Sequence, residues 1–168
     1  MDRYKLFEQY YKEYKIEDIM CNGISRYIFV LESPHNDEVD NRFPVAGQSG
    51  IDMAIFIGIN SSDMSLGEYC KNNLDKGISI INVSSAPLQK VNILTEESYK
   101  ELISKVNNLI RLGYKSYGSH NEEEINKIEK FILKDFQNRL NKLIINDETK
   151  IIVCGKFAEN YFNKKGKI

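Results

Sequence analysis

Three short runs of β-branched and apolar residues, set far apart, constrain what this chain can fold into. They are Tyr27-Ile28-Phe29-Val30-Leu31, Ile78-Ser79-Ile80-Ile81 and Ile151-Ile152-Val153-Cys154. Runs this short and this apolar read as strands buried on both faces, the kind that parallel sheets keep under helices. Helical patterns lie before and between them. Residues 3–15 place Leu6, Tyr10 and Tyr14 near one stripe of a lysine- and glutamate-rich helix that also carries Tyr4 and Tyr11. Thr95 reads as an N-cap with Glu96 and Glu97 in the first turn. Leu102, Val106, Leu109 and Ile110 then recur at helical spacing up to a stop at Gly113. Ser119 and Glu122 have capping-box spacing and open a helix whose stripe is Ile125, Ile128, Ile132, Phe136, Leu140 and Leu143. Strands separated by helices predict an α/β layered fold with three parallel strands, residues 27–31 in the middle, joined by right-handed crossovers.

Composition narrows the function classes. The 168 residues are 42% hydrophobic and 28% charged, which suits one globular domain and argues against wholesale disorder. Lys and Arg number 23 against 24 Asp and Glu, so no global field draws the chain to nucleic acid. No apolar run approaches the roughly 20 residues that span a bilayer, and the N-terminus lacks a signal-like stretch. The expected setting is a reduced cytoplasm, with no membrane partner. Cys21, Cys70 and Cys154 are scattered and have only His35 and His120 beside them, so no metal site and no cofactor is expected. His120 reads as a solvated surface residue, and the lysines at 164, 165 and 167 as a solubilising tail.

In parallel sheets ligands sit beyond the carboxyl ends of the strands. After the first run come Glu32-Ser33-Pro34-His35 and then Phe43-Pro44-Val45-Ala46-Gly47-Gln48-Ser49-Gly50. After the second come Asn82-Val83-Ser84-Ser85-Ala86-Pro87, and after the third Gly155-Lys156, opening a short helix. Glu32 is placed either as a general base or as a carboxylate tying down neighbouring loop amides. Asn82 is either a reader of a base edge or a turn residue ending a strand. His35 is an acid, an anion contact or a loop-stabilising hydrogen bonder. The Gly47-Gln48-Ser49-Gly50 turn either offers amides to an anion or is a plain strand-to-helix turn. Phe43 is a stacking platform or a loop anchor, and Ser84 a hydroxyl donor or an ordinary turn serine.

Taken in order, these strand ends resemble the uracil-DNA glycosylase superfamily over residues 26–162. Leu31-Glu32-Ser33-Pro34 stands where members carry a polar pair and proline. Pro44-Val45-Ala46-Gly47-Gln48-Ser49-Gly50 is similar to a Pro-Phe-Val-Gly-x-Ala-Gly segment. Asn82 matches a base-reading asparagine, and Ile152-Val153-Cys154-Gly155-Lys156-Phe157-Ala158 a strand-Gly-helix. The resemblance implies a three-layer α/β/α fold with a base pocket at the strand ends. It implies Glu32 and His35 as catalytic candidates, with Ser33, Pro34, Phe43, Val45, Gly47, Gln48, Ser49, Asn82 and Ser84 contacting the ligand. Departures follow the same motifs. Ser33 replaces a water-activating Asp or Asn, Val45 takes the place of a stacking phenylalanine, and no His-Pro-Ser occurs in the chain, as though the last edge strand and its loop were missing.

The expected function is therefore binding of a nucleobase or nucleotide, with weak or absent glycosidic hydrolysis, including sequestration of a nucleotide. One alternative is an active glycosylase removing uracil or a damaged base from DNA, single-stranded DNA being the better substrate. Another is an interaction module whose open sheet edge pairs with a second copy.

Overall fold

The computed structural model describes residues 2–59, 63–111 and 123–164. Helix α1 (Arg3–Tyr14) precedes strand β1 (Tyr27–Leu31). Helices α2 (Asn36–Asn41), α3 (Gln48–Phe56) and α4 (Leu66–Asn72) and a 3-10 turn (Leu74–Lys76) lead to β2 (Ile78–Asn82). Then come α5 (Glu97–Arg111), α6 (Glu123–Leu140), β3 (Lys150–Val153) and α7 (Lys156–Lys164). The strands form one parallel sheet in the order β2-β1-β3, with Tyr27 in register with Ile78 and Lys150. This is the α/β layering expected, with β1 central.

Alternation along the strands separates two apolar clusters. Ile28, Val30 and Ile81 face α1, α5, α6 and α7, where they meet Phe7, Tyr10, Ile103, Ile128, Phe136 and Phe157. Phe29, Leu31 and Ile80 face the other way, onto Val45 and Ala54 of the α3 side and Leu66 and Cys70 of α4. Burial of β1 and β2 on both faces matches their sequence. Strand β3 departs from it: its residues alternate between exposed and half-buried, and Ile152 is 37% exposed. β3 is a sheet edge, so one of its faces is left partly in water.

Local chemistry explains most boundaries. Asp2 caps α1 by accepting from the Tyr4 N–H (2.9 Å), and Phe7, Tyr10, Tyr11 and Tyr14 form its buried stripe. Leu6 is only half-buried; the seam runs one residue further round. Helix α5 starts at Glu97, and the Glu96 carbonyl accepts the Lys100 N–H, so Glu96 rather than Thr95 holds the capping position. In α6 the expected stripe from Ile125 to Leu140 is buried, and Leu143 lies half-buried past its end. Gly113, Ser119, His120 and Glu122, the lysines at 165 and 167, and the side chains of Leu109 and Ile110 lie outside what is described. Among the described residues no helix is long and apolar enough to cross a membrane.

One polar knot interrupts the apolar packing. Arg139 of α6, with 12% of its side chain exposed, donates from Nη1 to both Asp18 oxygens (3.0 and 2.9 Å) and from Nε to Asp135 (2.7 Å). It also reaches the carbonyls of Asn82 and Val83, at 2.8 Å each. Removing one member of such a buried pair leaves the other charged and unpaired, which costs about 3–5 kcal/mol. Arg139→Ala is therefore expected to lose about that much stability in urea unfolding, and a loss under about 1 kcal/mol would contradict the assignment.

Candidate functional site

The sheet register builds a floor beyond the carboxyl ends of the strands. Leu31 pairs with Asn82, and Cys154 follows the last β1–β3 pair, with its N–H on the Val30 carbonyl at 2.8 Å. Alternation sends all three side chains to the α3 side, so Asn82, Leu31 and Cys154 form a row across the three strand ends. This row underlies a cleft of ≈ 480 Å³, within the size range of small-molecule sites. Asn82 lines it and is only 2% exposed, and among the described residues its Oδ1 has no hydrogen-bond partner. An acceptor left in that state costs about 1–3 kcal/mol.

The walls come from the segments after β1 and β3. Glu32 is half-buried and accepts the Phe157 N–H at 3.1 Å, which places a carboxylate on the first turn of α7. Gly155 permits this approach. Its φ is +95°, and a Cβ there would stand 2.3 Å from Glu32 Oε1. Of the two readings of Glu32, the tie to neighbouring amides is thus realised, through Oε1; among the described residues Oε2 accepts no hydrogen bond. Ser33 is buried and donates to Gln89 Oε1 at 3.4 Å.

The segment after Ser33 forms the short helix α2. His35 is exposed and precedes α2, and its N–H donates to Glu38 Oε2. The buried Glu38 accepts the Val45 N–H with its other oxygen at 2.8 Å. That clasp holds Val45 at φ +49°, a left-handed conformation that disfavours a β-branched residue by about 1–3 kcal/mol. Gly47 caps α3, and Asp37 crowds it: a Cβ on Gly47 would lie 2.1 Å from Asp37 Oδ2. Gln48 and Ser49 are exposed at the rim, and Gln48 donates to Asp52 at 3.0 Å.

The cleft thus brings together Glu32, Ser33, His35, Val45, Gly47, Gln48, Ser49 and Asn82 from the sequence-predicted set. Three others lie elsewhere. The Phe43 ring packs against Gly67 of α4, where a Cβ would come within 2.8 Å of it, with Lys71 Nζ 5.0 Å from its centroid. It is a loop anchor. Ser84 is fully buried and donates to the Ala86 carbonyl at 2.6 Å, which closes its own turn. Pro34 is buried, and its carbonyl accepts from Gln89 at 2.8 Å. The reading from sequence omitted Asp37, Glu38, Met53, Cys154 and Gly155 from the site. For Glu38 the signal is its place three residues after a helix-capping position.

The electrostatics are one-sided. Glu32, Asp37 and Glu38 line the cleft, and among the described residues no Lys or Arg does. Burial, aided by the Glu32 carboxylate, pushes the Cys154 thiol up, and burial pushes the thiol of Cys70, on the buried face of α4, up to about 12. Among the described residues no group of three or more His, Cys, Asp or Glu could hold a metal ion. A wider cleft of ≈ 630 Å³ between α1 and α6 is flanked by Lys127, Lys130 and Lys134, solvated side chains of an exposed helix face. No protein-family model, curated protein or solved structure matches the chain.

Two outcomes follow from these contacts. Gly155→Ala should lower stability by about 1–3 kcal/mol in urea unfolding, because both the positive φ and the Glu32 contact oppose a methyl group. The thiols of Cys70 and Cys154 hold their protons more tightly in the fold than in the unfolded chain. Their contribution is complete below the ordinary thiol range and is lost progressively as pH rises from that range toward the raised folded values. Urea midpoints measured from pH 7 to 10 should fall, and fall less steeply once both cysteines are replaced by alanine.

Proposed function

We propose that this cleft binds a flat nitrogen heterocycle of the nucleobase class, on a three-layer, uracil-DNA glycosylase-like fold without its last edge strand. The unpartnered Asn82 Oδ1 carries the reading: buried at the cleft, it calls for an N–H donor, which amino and imide groups of bases supply. Leu31, Val45 and Met53 offer apolar contact for ring faces beside it. Binding with little hydrolysis fits the side chains better than turnover does. The Ser33 hydroxyl is committed to Gln89, His35 stands at the exposed rim, and Glu32 gives Oε1 to α7.

The hydrolase reading rests on Glu32 Oε2, which is free to orient a water. A single-turnover assay on a uracil-containing single-stranded oligonucleotide decides between the two. No cleavage by the wild-type chain, with measurable binding of a nucleoside, supports the binding reading. Cleavage abolished by Glu32→Gln overturns it.

Asn82 itself gives a sharper test. Asn82→Leu removes the unsatisfied acceptor with little change in volume, so the variant should unfold at the same urea concentration as wild type or a higher one. Its affinity for whichever base or nucleoside wild type binds should drop at least about tenfold, from the loss of one buried hydrogen bond. Retained affinity in calorimetric titration would refute the role given to Asn82.

A further inference from the structure

We infer that the cleft takes its heterocycle without phosphate, so that the ligand is a free base or a nucleoside and not a nucleotide. The inference rests on the nucleobase reading above and adds the charge of the ligand. Helix N-termini are where a phosphate finds backbone amides, and two of them, those of α3 and α7, open on this cleft through Gly47 and Gly155. A carboxylate of the chain itself stands at each, hydrogen-bonded to an amide at α7 and packed beside the capping glycine at α3. Asp37 lies against Gly47 closely enough that even a methyl group there would collide with it. Glu32 holds the Phe157 N–H of α7.

A third carboxylate, Glu38, is fixed between the His35 and Val45 amides on the same wall. Among the described residues no lysine or arginine lines the cleft to offset the three. A phosphate dianion entering here meets like charge at both helix ends. Asn82 Oδ1, among the described residues a buried acceptor without a donor, takes an N–H of the ring and leaves the charge of the ligand to the carboxylates. Charge therefore selects against the phosphate, and hydrogen-bond polarity selects a donor-bearing ring.

The test is a calorimetric titration of the whole chain with adenosine, guanosine, cytidine and uridine, and with each 5′-monophosphate. The 5′-amino-5′-deoxy analogue of whichever nucleoside binds completes the charge series. The expected order is amino analogue at least as tight as nucleoside, and nucleoside at least about tenfold tighter than monophosphate. Asp37→Asn should narrow the gap between nucleoside and monophosphate, and so should raised salt. A monophosphate that binds as tightly as its nucleoside overturns this inference and leaves the nucleobase reading standing. Absence of binding by every base, nucleoside and monophosphate at millimolar concentration overturns both.

Discussion

A guanidinium fixes the point where the second strand leaves the sheet. Arg139 sits behind Asn82 and Val83 and donates to both their carbonyls, while Asp18 takes the Asn82 N–H at 3.4 Å and a pair of Arg139 bonds. Strand ends normally fray because their outermost polar groups look to water. Here they are paired within the protein, and β1 continues the pairing through Val83 and Ser84, whose N–H groups reach the Leu31 and Glu32 carbonyls. Tyr11 extends the knot by linking Asp135 to the Ser85 N–H. A lysine could not reproduce this, since it lacks the planar fork that meets a carboxylate and two carbonyls at once.

The opposite wall is held by a different device with the same result. Glu38 spends both carboxylate oxygens on backbone amides, His35 on one side and Val45 on the other. Val45 then keeps a positive φ that it would abandon in a free loop. The glycines nearby permit the close approaches: Gly50 passes the Val45 carbonyl, and Gly67 the Pro44 carbonyl, each where a Cβ would stand about 2 Å away. The strain of a left-handed valine, about 1–3 kcal/mol, persists because its neighbours over-determine it.

The parts of this arrangement visible in the sequence are those encoded locally. Tyr27–Leu31 is a strand in any context that buries it, and the isoleucines from 125 to 132 with Phe136 and Leu140 make one stripe at 3.6-residue spacing. The order of strand-end segments likewise placed Glu32, Asn82 and the turn after Val45 at one rim, because parallel strands send their carboxyl ends to the same side. What stayed hidden depends on contacts made at long range. Helices α2, α3 and α4 are short, and their positions follow from Glu38, Gly50 and Gly67 finding partners that no periodicity announces. Arg139 and Asp18 are 121 residues apart, and in the sequence Arg139 is one more charge on an amphipathic helix. Phe43 and Ser84 were drawn toward the ligand by proximity in the chain. In the fold, Phe43 anchors to α4 and Ser84 closes its own turn.

The distribution of unfavourable features bears on what the cleft is for. A chain selected only for stability would pair Asn82 Oδ1, relax Val45 and disperse its carboxylates. Instead, an unsatisfied buried acceptor, a left-handed β-branched residue and three carboxylates share one ≈ 480 Å³ space. Among the described residues Arg42 is the other non-glycine with positive φ, and it ends α2, where helices commonly place that conformation. Arg42 therefore has a local reason, whereas Val45 is held in that conformation by the long-range Glu38 clasp and lines the cleft. Departures from local consistency are expected to gather where a protein meets something other than itself. That clustering, together with a donor-seeking acceptor at the base of the space, is the physical ground for treating the cleft as a binding site.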